Sequence, residues 1–109
     1  MKYKIGQEIE ITEDFTLKTV GGRTLTVKAG DKAIIDSEAR VKYISGQARG
    51  IIQMLAKDIE VNGYDHLNIA KMIANRLNQV FGLDEFLDDN DIAPETFEVE
   101  IEDILMDIL

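Results

Sequence analysis

A chain of 109 residues, 45% apolar and 30% charged, holds enough core-forming material for one small ordered domain, residues 1–109. It has no cysteine, which excludes disulfides, thiolate metal sites and cysteine nucleophiles. Its net charge is −9, and its single histidine, His66, is the only side chain on which a triad or an imidazole metal site could rest.

The first residues, 1–6, are partly basic but lack a long apolar run behind them, and no stretch nears the roughly 18 apolar residues of a membrane span. The expected location is the cytoplasm. Glu8-Ile9-Glu10-Ile11-Thr12 alternates polar and apolar residues, the period of a half-buried strand. Phe15-Thr16-Leu17-Lys18-Thr19-Val20 repeats it. Gly21-Gly22 offers a two-residue turn, and Arg23-Thr24-Leu25-Thr26-Val27-Lys28 is the return strand. These pieces predict a hairpin with a leading strand.

Ala29-Gly30-Asp31 turns the chain into a more buried strand, Lys32-Ala33-Ile34-Ile35-Asp36. Residues 39–44 alternate with Val41 and Tyr43 on one face. Ser45-Gly46-Gln47-Ala48 is a further turn, 49–55 another strand and 58–61 the last. Many short strands with regular turn signals predict a small antiparallel sheet or barrel. The run Lys28-Ala29-Gly30-Asp31-Lys32-Ala33-Ile34-Ile35, followed by a tight hairpin, resembles small Src-homology-type barrels over about residues 5–61. That resemblance implies binding of a peptide, a protein or a nucleic acid. The aromatic groove of the peptide-binding members is not evident, since this part offers only Tyr3, Phe15 and Tyr43.

Asn62-Gly63 marks a change of regime. Asp65 suits the N-cap of a helix over about 66–81, where Ile69, Ala70, Ile73, Leu77, Val80 and Phe81 form one apolar stripe and Gly82 supplies the stop. His66, beside Asp65, reads as a packing or capping residue. Leu83-Asp84-Glu85-Phe86-Leu87 predicts a short helical turn or two, and Asp88-Asp89-Asn90-Asp91 a polar break. Pro94 suits the first turn of another helix. Residues 97–101 alternate like a strand, but Phe97, Ile101, Ile104, Leu105 and Ile108 share one helical face. The longer period accounts for more residues and predicts a helix over about 94–108.

Charge divides at Gly63. Residues 1–63 carry 10 Lys and Arg against 9 Asp and Glu; residues 64–109 carry 2 against 12. After Arg76 eleven carboxylates follow with no basic residue. Such a tail disfavours direct nucleic-acid binding, because phosphate contacts need Lys and Arg. It favours a basic partner. On the last helix, Val99 and Met106 fall opposite the Phe97/Ile101/Ile108 stripe, with Glu95 and Glu102 on one side and Asp103 on the other. The segments 68–77, 81–87 and 101–109 are similar in style to small proteins carried by phages and mobile elements of Gram-positive bacteria.

Asp88-Asp89-Asn90-Asp91 fails as a calcium loop. Counted from Asp89, position 5 is Ala93 and position 6 is Pro94; counted from Asp88, position 5 is Ile92 and position 12 is Val99. Gly46-Gln47-Ala48-Arg49-Gly50 lacks the Lys-Ser/Thr ending of a phosphate loop. No hydrolase, Walker or dinucleotide motif occurs, and neither a catalytic residue, a metal site nor a cofactor is expected.

The expected fold class is α+β, an N-terminal small antiparallel sheet or barrel followed by two main C-terminal helices. The expected function is non-enzymatic: an inhibitor of anti-CRISPR or anti-restriction type whose acidic helical surface occupies a basic, nucleic-acid-binding surface of a host protein. The binding residues would be Asp88, Asp89, Asp91, Glu95, Glu98, Val99, Glu102, Asp103 and Met106. Two alternatives stand beside it. The barrel half could bind nucleic acid or peptide through Lys18, Arg23, Lys28, Lys32, Arg40, Lys42 and Arg49, with the tail as a regulatory shield. Or the second face of the last helix could form a homodimer contact.

Overall fold

The period-two segments do form strands, and the period-3.6 segments form helices. The computed structural model describes residues 2–109, in two compact units, one ending at Gly63 and the other Tyr64–Leu109. The fold is α+β, with antiparallel strands followed by three helices.

The first unit holds β1 (Lys2–Ile5), β2 (Glu8–Glu10), β3 (Phe15–Lys18), β4 (Thr24–Val27), β5 (Lys32–Ile35), β6 (Val41–Tyr43) and β7 (Ile52–Gln53), with β8 (Glu60–Tyr64) at its end. These fall into three sheets, β2-β5-β6-β7, β3-β4 and β1-β8, and none of them closes into a barrel. The leading strand β2 pairs with β5 rather than with the hairpin it precedes, through Glu8 opposite Ile34 and Glu10 opposite Lys32. A strand's partner is set by what it can bury against, not by which strand is next in sequence.

The β3-β4 hairpin is present, with Phe15 opposite Val27 and Lys18 opposite Thr24. Its loop is one residue longer than predicted. The Thr19 amide donates to the Arg23 carbonyl at 2.8 Å, which leaves Val20-Gly21-Gly22 as a three-residue loop. Alternation carries Leu25, Val27, Ala33 and Tyr43 inward, where they form the core with Ala48. The half-buried Ile11, Leu17, Val41 and Ile51 pack against that cluster. The Tyr43 hydroxyl donates to Gln53 Oε1 at 2.7 Å, and burial pushes its pKa up. Burial works against ionisation of Asp36, yet its pKa is lowered, because the Arg40 and Glu38 amides and the Arg40 guanidinium all donate to its carboxylate.

The segment expected as a strand over 49–55 is strand only at Ile52–Gln53, with turn before it and irregular chain after. Both the Gly50 amide, which donates to the Tyr43 carbonyl, and Ile51, whose carbonyl accepts from the Tyr43 amide, face one residue of β6. Two residues opposite one make a β-bulge; Gly50 holds its first position at φ 88°, a left-handed conformation open to glycine. The bulge confines β7 to two residues. The preceding turn is structural rather than a phosphate cradle: Ala48 is buried in the core and Gln47 Oε1 accepts from the Thr26 amide at 3.0 Å.

Gly46, in that turn, has φ 73°, and a Cβ there would lie 2.7 Å from the Asp31 carboxyl carbon. Asp31 in turn accepts from the Lys28 amide at 2.9 Å. Gly46→Ala combines a left-handed backbone cost of about 1–2 kcal/mol with loss of a hydrogen bond worth about 1 kcal/mol. The expected result is a destabilisation of about 2–3 kcal/mol, read as a lower urea midpoint.

The second unit comprises α1 (His66–Phe81), α2 (Leu83–Asp89) and α3 (Pro94–Ile108). Asp65 Oδ1 accepts from the Asn68 amide at 3.0 Å, capping α1, and Gly82 ends it in the left-handed conformation, φ 66°. The short α2 is a full element, and it runs on through Asp88 and Asp89, which were expected to break the chain. Its end is a hydrogen-bonded cap: the Ile92 amide reaches the Leu87 carbonyl at 2.8 Å and the Asp91 amide reaches Asp88 at 3.1 Å. Asp91 takes the positive φ, 54°, that such a cap requires.

Candidate functional site

The helical unit covers less of its apolar surface than the sequence periodicity suggests. α1 packs mainly on α3 and touches α2. Its buried positions are Ala70 and Ala74, one turn apart and small enough for close helix approach; Ile69 and Leu77 are half-buried. Ile73, Val80 and Phe81, expected in the same buried stripe, are exposed. On α3, Phe97, Ile101 and Leu105 are half-buried, whereas Ile104 and Ile108, expected beside them, are exposed. No residue of α3 is fully buried. Three short helices have too little area to enclose a stripe this wide, and apolar side chains are left in water.

The expected binding residues fall into three groups. Asp88 and Asp89 close α2 and Asp91 follows it, all exposed. Val99 and Met106 are 46% and 59% exposed, on the face of α3 away from its half-buried apolar residues, with exposed Glu95 and Asp103 nearby in the helical net. Glu98 and Glu102 differ from expectation in being half-buried, at the rim of that face rather than on it.

Some carboxylates suit their helices: Asp65 caps α1, and Asp84 and Glu85 lie in the first turn of α2. Glu95, in the first turn of α3, sits well with the helix dipole; Asp107 lies in the last turn, which holds no basic residue. All of the ion pairs found among the described residues lie in the first unit: Lys32 with Glu8, and Arg40 with Asp36 and Glu38. Among the described residues no ion pair in the second unit offsets its negative charge, and the carboxylates beyond the first turns have no favourable dipole.

Among the described residues no group of three His, Asp or Glu side chains could hold a metal ion. His66 sits at the start of α1 with its ring centroid 6.1 Å from that of Tyr64, and no protein group partners its Nε2. In the first unit, Arg40 is taken up by its network with Asp36 and Glu38, and Lys32 by its pair with Glu8. Lys18, Arg23, Lys28, Lys42 and Arg49 have no ion pair among the described residues. Among the described residues no helix is long and apolar enough to cross a membrane. The chain matches no protein-family model, no curated protein and no solved structure.

Proposed function

We propose that this is a non-enzymatic binding protein whose acidic helical unit occupies a basic surface of a nucleic-acid-processing protein. An inhibitor of anti-CRISPR or anti-restriction type, carried by a phage or mobile element, is the concrete form of this reading. The observation that carries it is on α3: Val99 and Met106 stand exposed among carboxylates that form no ion pair among the described residues. Apolar anchors ringed by charge of one sign suit a partner of opposite charge with a small apolar patch. A second copy suits this face poorly, because it would bring two units of 12 acidic and 2 basic residues together.

The test is capture by the immobilised full chain from a lysate of a Gram-positive bacterium at about 0.05 M salt, followed by elution up to about 1 M. Over that range the Debye length shrinks from above 10 Å to about 3 Å. The expected result is a nucleic-acid-processing protein that elutes as salt rises and, once purified, has its nucleic acid displaced by this chain. A captured partner whose affinity did not change with salt would overturn the reading.

A further inference from the structure

The first unit carries a different kind of site, at the gap where its sheets fail to close. β3 pairs only with β4, and β7 ends the sheet β2-β5-β6-β7, so each has one unpaired edge. Between these edges lies a groove of about 460 Å³, lined by residues 17–21 on one side and 50–53 on the other. That volume is within the ~300–1,000 Å³ of ordinary ligand sites.

Ladder geometry says which backbone groups face the groove. In an antiparallel pair, hydrogen-bonded and non-hydrogen-bonded positions alternate. The Thr19 amide bonds Arg23, so Leu17 and Phe15 also point toward β4, and Thr16 and Lys18 point away from it. On the other side the Tyr43 amide bonds Ile51, so Ile52, opposite Lys42, points away from β6. The amides and carbonyls of Thr16, Lys18 and Ile52 thus face away from their partner strands, on the two edges that flank the groove. Its floor is apolar, with half-buried Leu17 and Ile51, and Val20, at 110% exposure, stands at its mouth.

The charge around it has one sign. The only charged residue of the lining is Lys18. A neighbouring hollow of about 250 Å³, which shares Gly50, is lined by Lys42 and Arg49 and by no carboxylate. None of these three cations has an ion pair among the described residues. A lysine on an edge strand resists pairing with a second copy of the same edge and leaves an acidic strand as the complementary occupant. Single-stranded nucleic acid fits less well. It needs exposed aromatic faces for base stacking, and the one aromatic ring in either lining, Tyr43, is 2% exposed.

We infer that this groove is a β-augmentation site for an extended segment of another protein in which acidic and apolar residues alternate. The segment lies between β3 and β7. Its apolar side chains meet Leu17 and Ile51, its acidic ones sit beside Lys18, and its backbone bonds the open edges.

The probe is the capped peptide Ac-Glu-Val-Glu-Val-Glu-Val-NH2, titrated into the isotope-labelled full chain. Its lysine counterpart, Ac-Lys-Val-Lys-Val-Lys-Val-NH2, and an oligothymidylate are the comparison arms. Amide hydrogen exchange is read residue by residue. The acidic peptide is expected to slow exchange at Thr16, Lys18 and Ile52 at least tenfold, while Leu17, already bonded to β4, changes little. Lys18→Glu, an exposed substitution, is expected to weaken the effect at least threefold. Ile52→Pro removes an amide that β6 does not use and is expected to abolish protection at Thr16 and Lys18. No slowing at these three amides, equal binding of the lysine peptide, or occupation of the groove by oligothymidylate would each overturn the inference.

Discussion

Leu87→Ala is expected to cost the helical unit most of its stability. Leu87 is the large side chain of that unit that is fully enclosed, at 2% exposure, on a two-turn helix that touches α1. Deleting a buried leucine costs about 2–5 kcal/mol, according to how far the cavity collapses. At roughly 0.05–0.15 kcal/mol per residue, a unit of this length has only about 2–7 kcal/mol to lose. The remaining interior positions, Ala70 and Ala74, have no spare side chain to fill the hole. The far-UV circular dichroism melt of the variant should therefore fall by more than about 10 °C. Phe86→Ala is the control. Phe86 is one residue earlier on the same helix but exposed, so its truncation should cost under about 1 kcal/mol. If the two variants melted together, Leu87 would not be the keystone of the unit.

That asymmetry between neighbours was not legible in the sequence, where Phe86 and Leu87 read alike as members of a short helical turn. The longer helices were legible. Their period extends over fifteen and sixteen residues, and Asp65, Gly82 and Pro94 mark their ends with local chemistry. The capping role of Asp91 was missed, since an Asp with positive φ leaves no trace in composition.

The strands show where local reading stops. Alternation located β2 to β6, because each strand has its own inward and outward residues. It missed β1, although Lys2-Tyr3-Lys4-Ile5 alternates as β2 does, with Tyr3 and Ile5 half-buried. It also extended β7 across a bulge that depends on how Gly50 and Ile51 meet Tyr43. Pairing partners, and so the open edges of β3 and β7, join residues some thirty positions apart. No pattern within either segment encodes that approach. The acidic surface was legible as composition, but its shape was not: periodicity placed Ile104 and Ile108 in a core that the unit is too small to close.

Replacing both Val99 and Met106 by glutamine is the other substitution with a large expected effect, on partner binding rather than on folding. Both side chains are exposed, and glutamine is a good helix former, so α3 should keep its structure and its melting temperature. In the bound state, apolar side chains enclosed among charges are worth about 1–2 kcal/mol each. Their joint loss should weaken binding by roughly 30- to 700-fold at about 1.4 kcal/mol per tenfold. Most of that change should lie in the dissociation rate, because apolar contacts form only after docking. Glu95→Gln with Asp103→Asn should behave in the opposite way. It should slow association and flatten the salt dependence while changing dissociation little, because exposed charges act chiefly on encounter. Surface plasmon resonance of the captured partner at several salt concentrations separates the two. A glutamine pair that bound like the parent chain would show that Val99 and Met106 are ordinary exposed residues, and the docking face would then have to be sought elsewhere on the helical unit.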